Sequence, residues 1–202
     1  MEEVIKAGKE IAEADKIAIL IHGRGANATG MLGLADALKL DDFAVLAPQA
    51  PGNTWYPYGF MVPEQENEPF LSQSLKLIED LVQEVMEQKK SLSQLYFIGF
   101  SQGACLSLEF AARNPSRYGG VIAFTGGLIG ATLPPYKGDL KGTPVFIGSS
   151  LEDFHVPFSR IEETELILSD MGAQVKVAGF QDRLHSIREE ELTMADEFVL
   201  DF

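Results

Sequence analysis

Gly99-Phe100-Ser101-Gln102-Gly103 joins two different sequence patterns through a serine that is flanked by glycines. Before it, residues 95–98 form the β-prone apolar run Leu-Tyr-Phe-Ile, and after it apolar residues recur at helical spacing. This G-x-S-x-G arrangement is typical of a nucleophile elbow, a sharp strand-to-helix turn that exposes a serine hydroxyl at the end of a sheet. A turn of small residues that merely pack would also fit the five residues alone. The flanking strand and helix patterns favour the elbow.

Outside this turn, short apolar runs alternate with longer helical patterns. The predicted strands cover residues 16–21, 43–47, 95–99, 120–125, 144–148 and 174–178. The predicted helices cover residues 30–38, 69–88, 102–114, 157–171 and 186–200. The alternation predicts an α/β fold with a mostly parallel central sheet and helices on both faces. Residues 1–15 fit either a loose helix or an extended lead-in strand, and residues 51–69 form one long irregular connection, which in compact domains is often functional.

Composition limits the classes of function. A chain of 202 residues that is 46% hydrophobic predicts a single domain over residues 1–202. Sixteen basic against 30 acidic residues give a net charge of −14, which disfavours nucleic acid and anionic membranes as partners. The lone cysteine, Cys105, excludes an intrachain disulfide and fits a small buried hydrophobe. Without an apolar membrane span, and with the start Met1-Glu2-Glu3 unlike a signal peptide, the expected location is cytoplasmic.

A serine nucleophile needs a histidine base, and three histidines follow predicted strands, at the edge where catalytic groups of parallel sheets gather. His22 begins a glycine-rich loop, whose backbone is considered below as a source of hydrogen-bond donors. His155 lies two residues from Asp153, too close in sequence to face both that residue and the serine, so we expect a polar loop residue near the site. His185, after the last strand, is the predicted base.

The base in turn needs an acid, and α/β hydrolases carry the three groups in the order Ser, Asp or Glu, His. Ser101, Asp153 and His185 follow that order. Glu152 and Asp182 are the alternative acids. Asp182 shares a loop with His185 and could bond it locally, in place of the separate supporting loop that other α/β hydrolases use.

Acyl transfer also needs hydrogen-bond donors for the oxyanion. The backbone N–H of Gln102, at the start of the predicted helix, is one candidate, since the positive end of the helix dipole lies there. The loop after the first predicted strand should supply the second, and by position we choose the N–H of Arg24. The Arg24 side chain either pairs with surface carboxylates or grips substrate.

Together these residues resemble the phospholipase/carboxylesterase family of small α/β hydrolases, which includes the acyl-protein thioesterases. The resemblance runs from about Lys16 to the C-terminus. It rests on His22-Gly23-Arg24-Gly25, on the elbow extended by Ala104, on Asp153 followed by Val156-Pro157, and on His185 before the last helix. The family's Asp-x-x-Val-Pro segment carries the acid, so the resemblance favours Asp153 over Glu152. The arginine of the first loop is similar to that of the bacterial esterase branch.

The resemblance also implies an acyl groove between two loops, here residues 55–70 and 126–136. The residues expected to line it are Trp55, Tyr56, Tyr58, Phe60, Met61, Leu128, Ile129 and Leu133. The same residues could instead cover the core or form a patch between the subunits of a homodimer. A chain of 202 residues leaves no room for a large cap domain, so the site should be open. With no His or Cys cluster at ligand spacing, neither a metal nor another cofactor is expected.

The sequence therefore predicts a serine carboxylesterase that hydrolyses short to medium acyl esters through an acyl-enzyme. Its substrate partner would be a small-molecule ester. The alternatives are a thioesterase on acylated proteins or acyl thiols, which would use the same residues, and a catalytically silent α/β-hydrolase scaffold used for binding.

Overall fold

The computed structural model describes residues 3–201. Met1, Glu2 and Phe202 belong to the predicted domain 1–202 but lie outside the described residues. The prediction that the start Met1-Glu2-Glu3 is not a signal peptide therefore falls mostly on residues that the structure does not describe.

Within residues 3–201, one sheet has seven strands in the order 1-3-2-4-5-6-7. They are β1 (Val4–Gly8), β2 (Lys16–Ile21), β3 (Phe43–Pro48), β4 (Leu95–Phe100), β5 (Gly120–Phe124), β6 (Pro144–Ser150) and β7 (Gln174–Phe180). The helices are α1 (Gly30–Ala37), α2 (Phe70–Glu87), α3 (Gln102–Arg113), α4 (Phe158–Asp170) and α5 (Glu189–Ala195), which continues into a π-helical turn, Asp196–Leu200. Short 3₁₀ turns cover Leu40–Asp42, Pro51–Asn53, Glu64–Asn67 and Leu92–Gln94. β1 pairs with β3 in the antiparallel sense, and all other strand pairs are parallel.

Two hydrophobic cores lie on the two faces of the sheet. In β2, Ile17, Ile19 and Ile21 point into the core shared with α2, α3 and α4, whereas Ala18 and Leu20 point into the core shared with α1 and α5. Because successive side chains of a strand point to opposite faces, an apolar run of this kind suits a strand that is covered on both sides. No segment of residues 3–201 forms a separate cap domain, and the architecture is an α/β-hydrolase fold.

All six predicted strands and all five predicted helices are present, with small shifts of their ends. At the N-terminus the extended alternative is correct, since Val4–Gly8 pairs with β3. The predicted start of the last helix at residue 186 is wrong. Residues 181–188 form a loop, Arg188 has extended backbone angles, and α5 begins at Glu189.

Parallel strands place the loops that carry the site at one edge of the sheet. Loops leave the carboxyl ends of β2, β4, β6 and β7 on the same side. The residues predicted for the triad and for the oxyanion hole follow these four ends, and α/β sheets bind ligands at this edge.

Candidate active site

The turn between β4 and α3 holds Ser101 in a strained conformation. Its φ of 54° and ψ of −115° lie outside the regions that non-glycine residues ordinarily adopt. The two flanking glycines make the turn possible. A Cβ at Gly99 would lie 2.3 Å from the Gly103 carbonyl oxygen, and a Cβ at Gly103 would lie 1.9 Å from the Ile21 carbonyl oxygen. This is the geometry of a nucleophile elbow.

Ser101, His185 and Asp153 form a continuous hydrogen-bonded chain. Ser101 Oγ lies 2.8 Å from His185 Nε2, and His185 Nδ1 lies 2.8 Å from Asp153 Oδ2. A carboxylate at Nδ1 selects the tautomer with its proton on that nitrogen, which leaves the Nε2 lone pair facing the serine. The structure therefore brings together the three residues that the sequence singled out.

Asp153 is held as a carboxylate. Its side chain is fully buried, and Oδ1 accepts the backbone N–H groups of His155 at 2.7 Å and Val156 at 2.9 Å. Burial raises the pKa of Asp153, but the hydrogen bonds from His185 and from the two backbone groups outweigh it and lower the pKa below its ordinary value. The group facing His185 is therefore charged at neutral pH.

Neither alternative acid bonds to His185. Glu152 points to solvent and pairs with Arg183 at 2.5 Å. Asp182, in the His185 loop, is bound instead by Arg188 and Ser150.

The other two histidines have different surroundings. His155 packs its ring edge-on against that of His185, with centroids 4.8 Å apart, and lies at the cavity beside Ser101. His22 is fully buried, and burial lowers its pKa. Its Nε2 accepts the N–H of Ala50, so Nδ1 carries the proton and donates to the Gly23 carbonyl oxygen at 2.7 Å. His22 thus supports the loop that follows β2.

The backbone N–H groups of Arg24 and Gln102 donate to no acceptor within residues 3–201. Both residues lie at the cavity that contains Ser101, and Gln102 is the first residue of α3, whose amide has no partner inside the helix. The Gln102 side chain accepts the N–H of Trp55 and donates to the Tyr56 carbonyl oxygen, both at 2.9 Å. It thereby fixes the long connection next to the elbow.

The Arg24 side chain pairs with no carboxylate within residues 3–201, so the first of the two expected alternatives is wrong. A role in gripping substrate stays a prediction, since Arg24 lies in the lining of the cavity at Ser101. Its Nη1 and Nη2 donate to the carbonyl oxygens of Pro57 at 2.7 Å and Tyr58 at 2.5 Å, and the guanidinium lies 5.9 Å from the centroid of the Tyr56 ring. The side chain therefore ties the long connection to the loop after β2.

A cavity of about 300 Å³ opens at Ser101. It is lined by Arg24, Tyr56, Gly59, Phe60, Ser101, Gln102, Cys105, His155, Val156 and His185. Of the eight residues expected to line an acyl groove, Tyr56 and Phe60 contribute to this lining.

The expectation is wrong for Trp55, Leu128 and Ile129, which are 2%, 0% and 0% exposed and lie outside the cavity lining. Trp55 packs on His22 and donates its indole N–H to the His22 carbonyl oxygen at 2.8 Å. Leu128 lies in the core below α4. Leu133 also lies outside the lining, as do Tyr58 and Met61, which have 57% and 37% of their surface exposed.

Cys105 and Val156 line the cavity but were not singled out for it from the sequence. The aromatic run from residue 55 has no periodicity, so nothing in it shows that Tyr56 rather than Trp55 faces the serine. Cys105 did carry a signal, because a residue four positions after Ser101 lies one helical turn away on the same face. Burial raises the pKa of the Cys105 thiol to about 12, which keeps it protonated.

No helix in the described part of the chain is long and apolar enough to cross a membrane. Among the same residues, no group of three or more His, Cys, Asp or Glu side chains is arranged to hold a metal ion.

The family model described as phospholipase/carboxylesterase matches residues 2–201. The chain belongs to this family. Membership makes it a serine hydrolase that acts on ester bonds. A phospholipase/carboxylesterase from Dyadobacter fermentans is 46% identical and superposes with a TM-score of 0.97 over 99% of this chain and 97% of that one.

Two further proteins are less similar. An acyl-protein thioesterase 1 of Eremothecium gossypii is 28% identical over 71% of this chain and 68% of its own length. The Bacillus cereus carboxylesterase shares the fold at 19% identity, with a TM-score of 0.82 over 100% of this chain and 94% of that one.

Proposed function

We propose that the protein is a carboxylesterase that hydrolyses short to medium acyl esters through an acyl-enzyme on Ser101. The observation that carries the proposal is the chain of two 2.8 Å contacts from Ser101 Oγ through His185 to Asp153, mounted on a strained elbow. Family membership supports the reaction class.

In the first half of the reaction, Ser101 Oγ attacks the ester carbonyl carbon while His185 Nε2 takes the hydroxyl proton. The N–H groups of Arg24 and Gln102 stabilise the oxyanion, and the Asp153 carboxylate stabilises the imidazolium that forms. When the tetrahedral intermediate collapses, the C–O bond to the alcohol breaks and His185 returns the proton to the departing oxygen. Water then attacks the acyl-enzyme with His185 as base, which releases the acid and restores Ser101.

The size of the cavity supports short to medium acyl groups. About 300 Å³ is at the lower end of the range for small-molecule sites, and Tyr56, Phe60 and Cys105 supply its apolar surface. Each buried methylene contributes at most about 0.8 kcal/mol, or roughly fourfold in kcat/KM, until the cavity is full.

A thioesterase activity is the second candidate, favoured by the relative from Eremothecium gossypii that is named an acyl-protein thioesterase. The same atoms would act on a thioester, with a thiolate as leaving group. Its test is a set of oxygen esters and thioesters with matched acyl chains.

The proposal is tested with p-nitrophenyl esters from acetyl to dodecanoyl. We expect kcat/KM to rise with chain length and then level off or fall at medium length. Phe60→Ala enlarges the cavity and should move the optimum to longer chains. Met61→Ala is the matched control, since its side chain is the next in sequence but lies outside the lining.

Turnover of thioesters alone would favour the second candidate, and no turnover of either series would indicate a silent scaffold. A cytoplasmic location and a homodimer stay predictions, which fractionation of cells and sedimentation of the purified protein would check.

A further inference from the structure

The loop that carries His185 has no regular secondary structure over residues 181–188. Even so, the His185 ring must keep two hydrogen bonds at once, one to Ser101 and one to Asp153. A displacement of about 1 Å in such an arrangement can cost on the order of 10²-fold in rate. Because the loop has no regular secondary structure, side-chain contacts must hold its backbone in place.

Arg188 makes the contacts that hold this loop. Its Nε and Nη2 form a fork on the Asp182 carboxylate at 3.0 and 2.5 Å. Nη2 also lies 2.5 Å from Ser150 Oγ and 3.2 Å from the Leu184 carbonyl oxygen, and Nη1 donates to the Ser186 carbonyl oxygen at 3.2 Å. Arg188 therefore contacts the backbone on both sides of His185.

Three of the residues that Arg188 contacts belong to strands or to a helix. Ser150 ends β6, and its Oγ is 2.6 Å from both Asp182 Oδ1 and the Leu184 carbonyl oxygen. The guanidinium lies 4.6 Å from the centroid of the Phe180 ring at the end of β7. Nη1 also contacts the fully buried Glu191 of α5 at 3.1 Å. The loop is thus fastened to two strands and to the helix that follows.

The charges in this cluster stabilise the same arrangement. The hydrogen bonds from Arg188, Ser150 and the Leu184 N–H hold the pKa of Asp182 well below its ordinary value. The Arg188 side chain is only 15% exposed, so solvent screens the Arg188–Asp182 pair less than it screens a surface pair. A planar fork also fixes geometry in a way that a single flexible contact does not.

We propose that Arg188, fixed on Asp182 and Ser150, is the positioning residue that holds His185 between Ser101 and Asp153. The proposal rests on the catalytic role given to His185 above. Arg188 touches neither Ser101 nor the cavity lining, so its effect passes through the loop backbone. It should therefore act on the rate of the chemical step and leave substrate affinity nearly unchanged.

Arg183 provides a matched control on the same loop. Arg183 is also paired with an acid, Glu152 from the segment after β6, but the two side chains are 65% and 62% exposed. Exposed pairs of this kind contribute little. Arg188→Gln and Arg183→Gln each remove one cation from the same loop. The two variants differ in the contacts that are lost with that cation.

The experiment measures kcat per active site, with sites counted by fluorophosphonate titration, together with KM for p-nitrophenyl acetate. It also records the low-field proton resonance of the His185–Asp153 hydrogen bond by NMR. For Arg188→Gln we expect kcat to fall about 10- to 100-fold with KM nearly unchanged, and the low-field resonance to be lost. Arg183→Gln should keep both. Arg188→Lys should recover part of the loss, because an ammonium keeps the charge but not the fork.

The proposal is overturned if Arg188→Gln keeps wild-type kcat, if kcat falls equally in Arg188→Gln and Arg183→Gln, or if the low-field resonance persists in Arg188→Gln. If Arg188→Gln does not fold, Ser150→Ala takes its place, with a smaller loss of kcat and a weakened resonance expected, and unchanged values overturning the proposal. If the wild-type protein has neither turnover nor labelling, the proposed function fails, and the resonance in the variants still decides whether Arg188 positions His185.

Discussion

Replacing Asp153 by asparagine should move the proton of neutral His185 from Nδ1 to Nε2. Asp153 Oδ1 accepts two backbone N–H groups, from His155 and Val156. An asparagine must keep its carbonyl oxygen there, since its amide group would face two other donors. The amide NH₂ would then occupy the place of Oδ2 and donate to His185 Nδ1, which would leave the imidazole proton on Nε2, facing Ser101.

In that tautomer His185 cannot accept the proton of Ser101, and the negative charge that stabilises the imidazolium is also gone. A triad with this substitution loses on the order of 10⁴ in kcat, which corresponds to about 5 kcal/mol of transition-state stabilisation. We expect a loss of that size for Asp153→Asn, measured as kcat on p-nitrophenyl acetate. The fold should persist, because asparagine is isosteric and keeps both backbone hydrogen bonds.

Glu152→Gln is the matched control. It changes the neighbouring acid in the same way, but the Glu152 side chain pairs with the exposed Arg183 and not with His185, so kcat should change by less than about twofold. Residual kcat above about one hundredth of wild type in Asp153→Asn, or an equal loss in Glu152→Gln, would refute the tautomer argument.

Further predictions concern stability. Trp55→Ala should lower the free energy of unfolding by about 3–5 kcal/mol in urea titrations, because it leaves a buried cavity and leaves the His22 carbonyl oxygen without its indole donor. The preference of the folded variant for acyl chain length should be that of the wild-type protein. A changed preference for acyl chain length would indicate that Trp55 contacts the acyl chain after all. Burial raises the pKa of Glu191 to about 7 in the folded state, whereas it is near 4.3 in an unfolded chain. Its stabilising contribution should therefore be complete below about pH 4 and be lost as the pH rises to about 7, amounting to roughly 3 kcal/mol. Urea titrations at pH 4.5 and 7.5 give the difference in the free energy of unfolding between wild type and Glu191→Gln. This difference should shift by that amount between the two pH values, and an unchanged difference would contradict the raised pKa of Glu191.

The sequence predicted the arrangement of the candidate site well because its parts are local or ordered along the chain. The elbow is a single turn with glycines at both ends, and its context of strand and helix can be recognised from periodicity. Asp153 and His185 follow predicted strands, and parallel strands bring their carboxyl ends together without knowledge of side-chain packing. The same topology placed Arg24 beside the elbow.

What the sequence could not predict depends on contacts between distant segments. In the long connection after β3, only tertiary packing decides that Trp55 turns inward onto His22 while Tyr56 faces the cavity. Likewise, α5 begins at Glu189 and not at residue 186 because Arg188 is extended and bound to Asp182 and Ser150. Helical periodicity contains no information on such a competing interaction.

The most direct test of the account is the site of acylation. The protein is mixed rapidly with p-nitrophenyl acetate, quenched in acid and digested, and the acetylated residue is identified by mass spectrometry. We predict one acetyl group on Ser101 in the wild-type protein and neither adduct nor turnover in Ser101→Ala, with its fold checked by circular dichroism. Cys105 is the competing nucleophile in the same cavity, with its thiol kept protonated by burial. An acetyl group on Cys105, or turnover that survives in Ser101→Ala, would contradict the account.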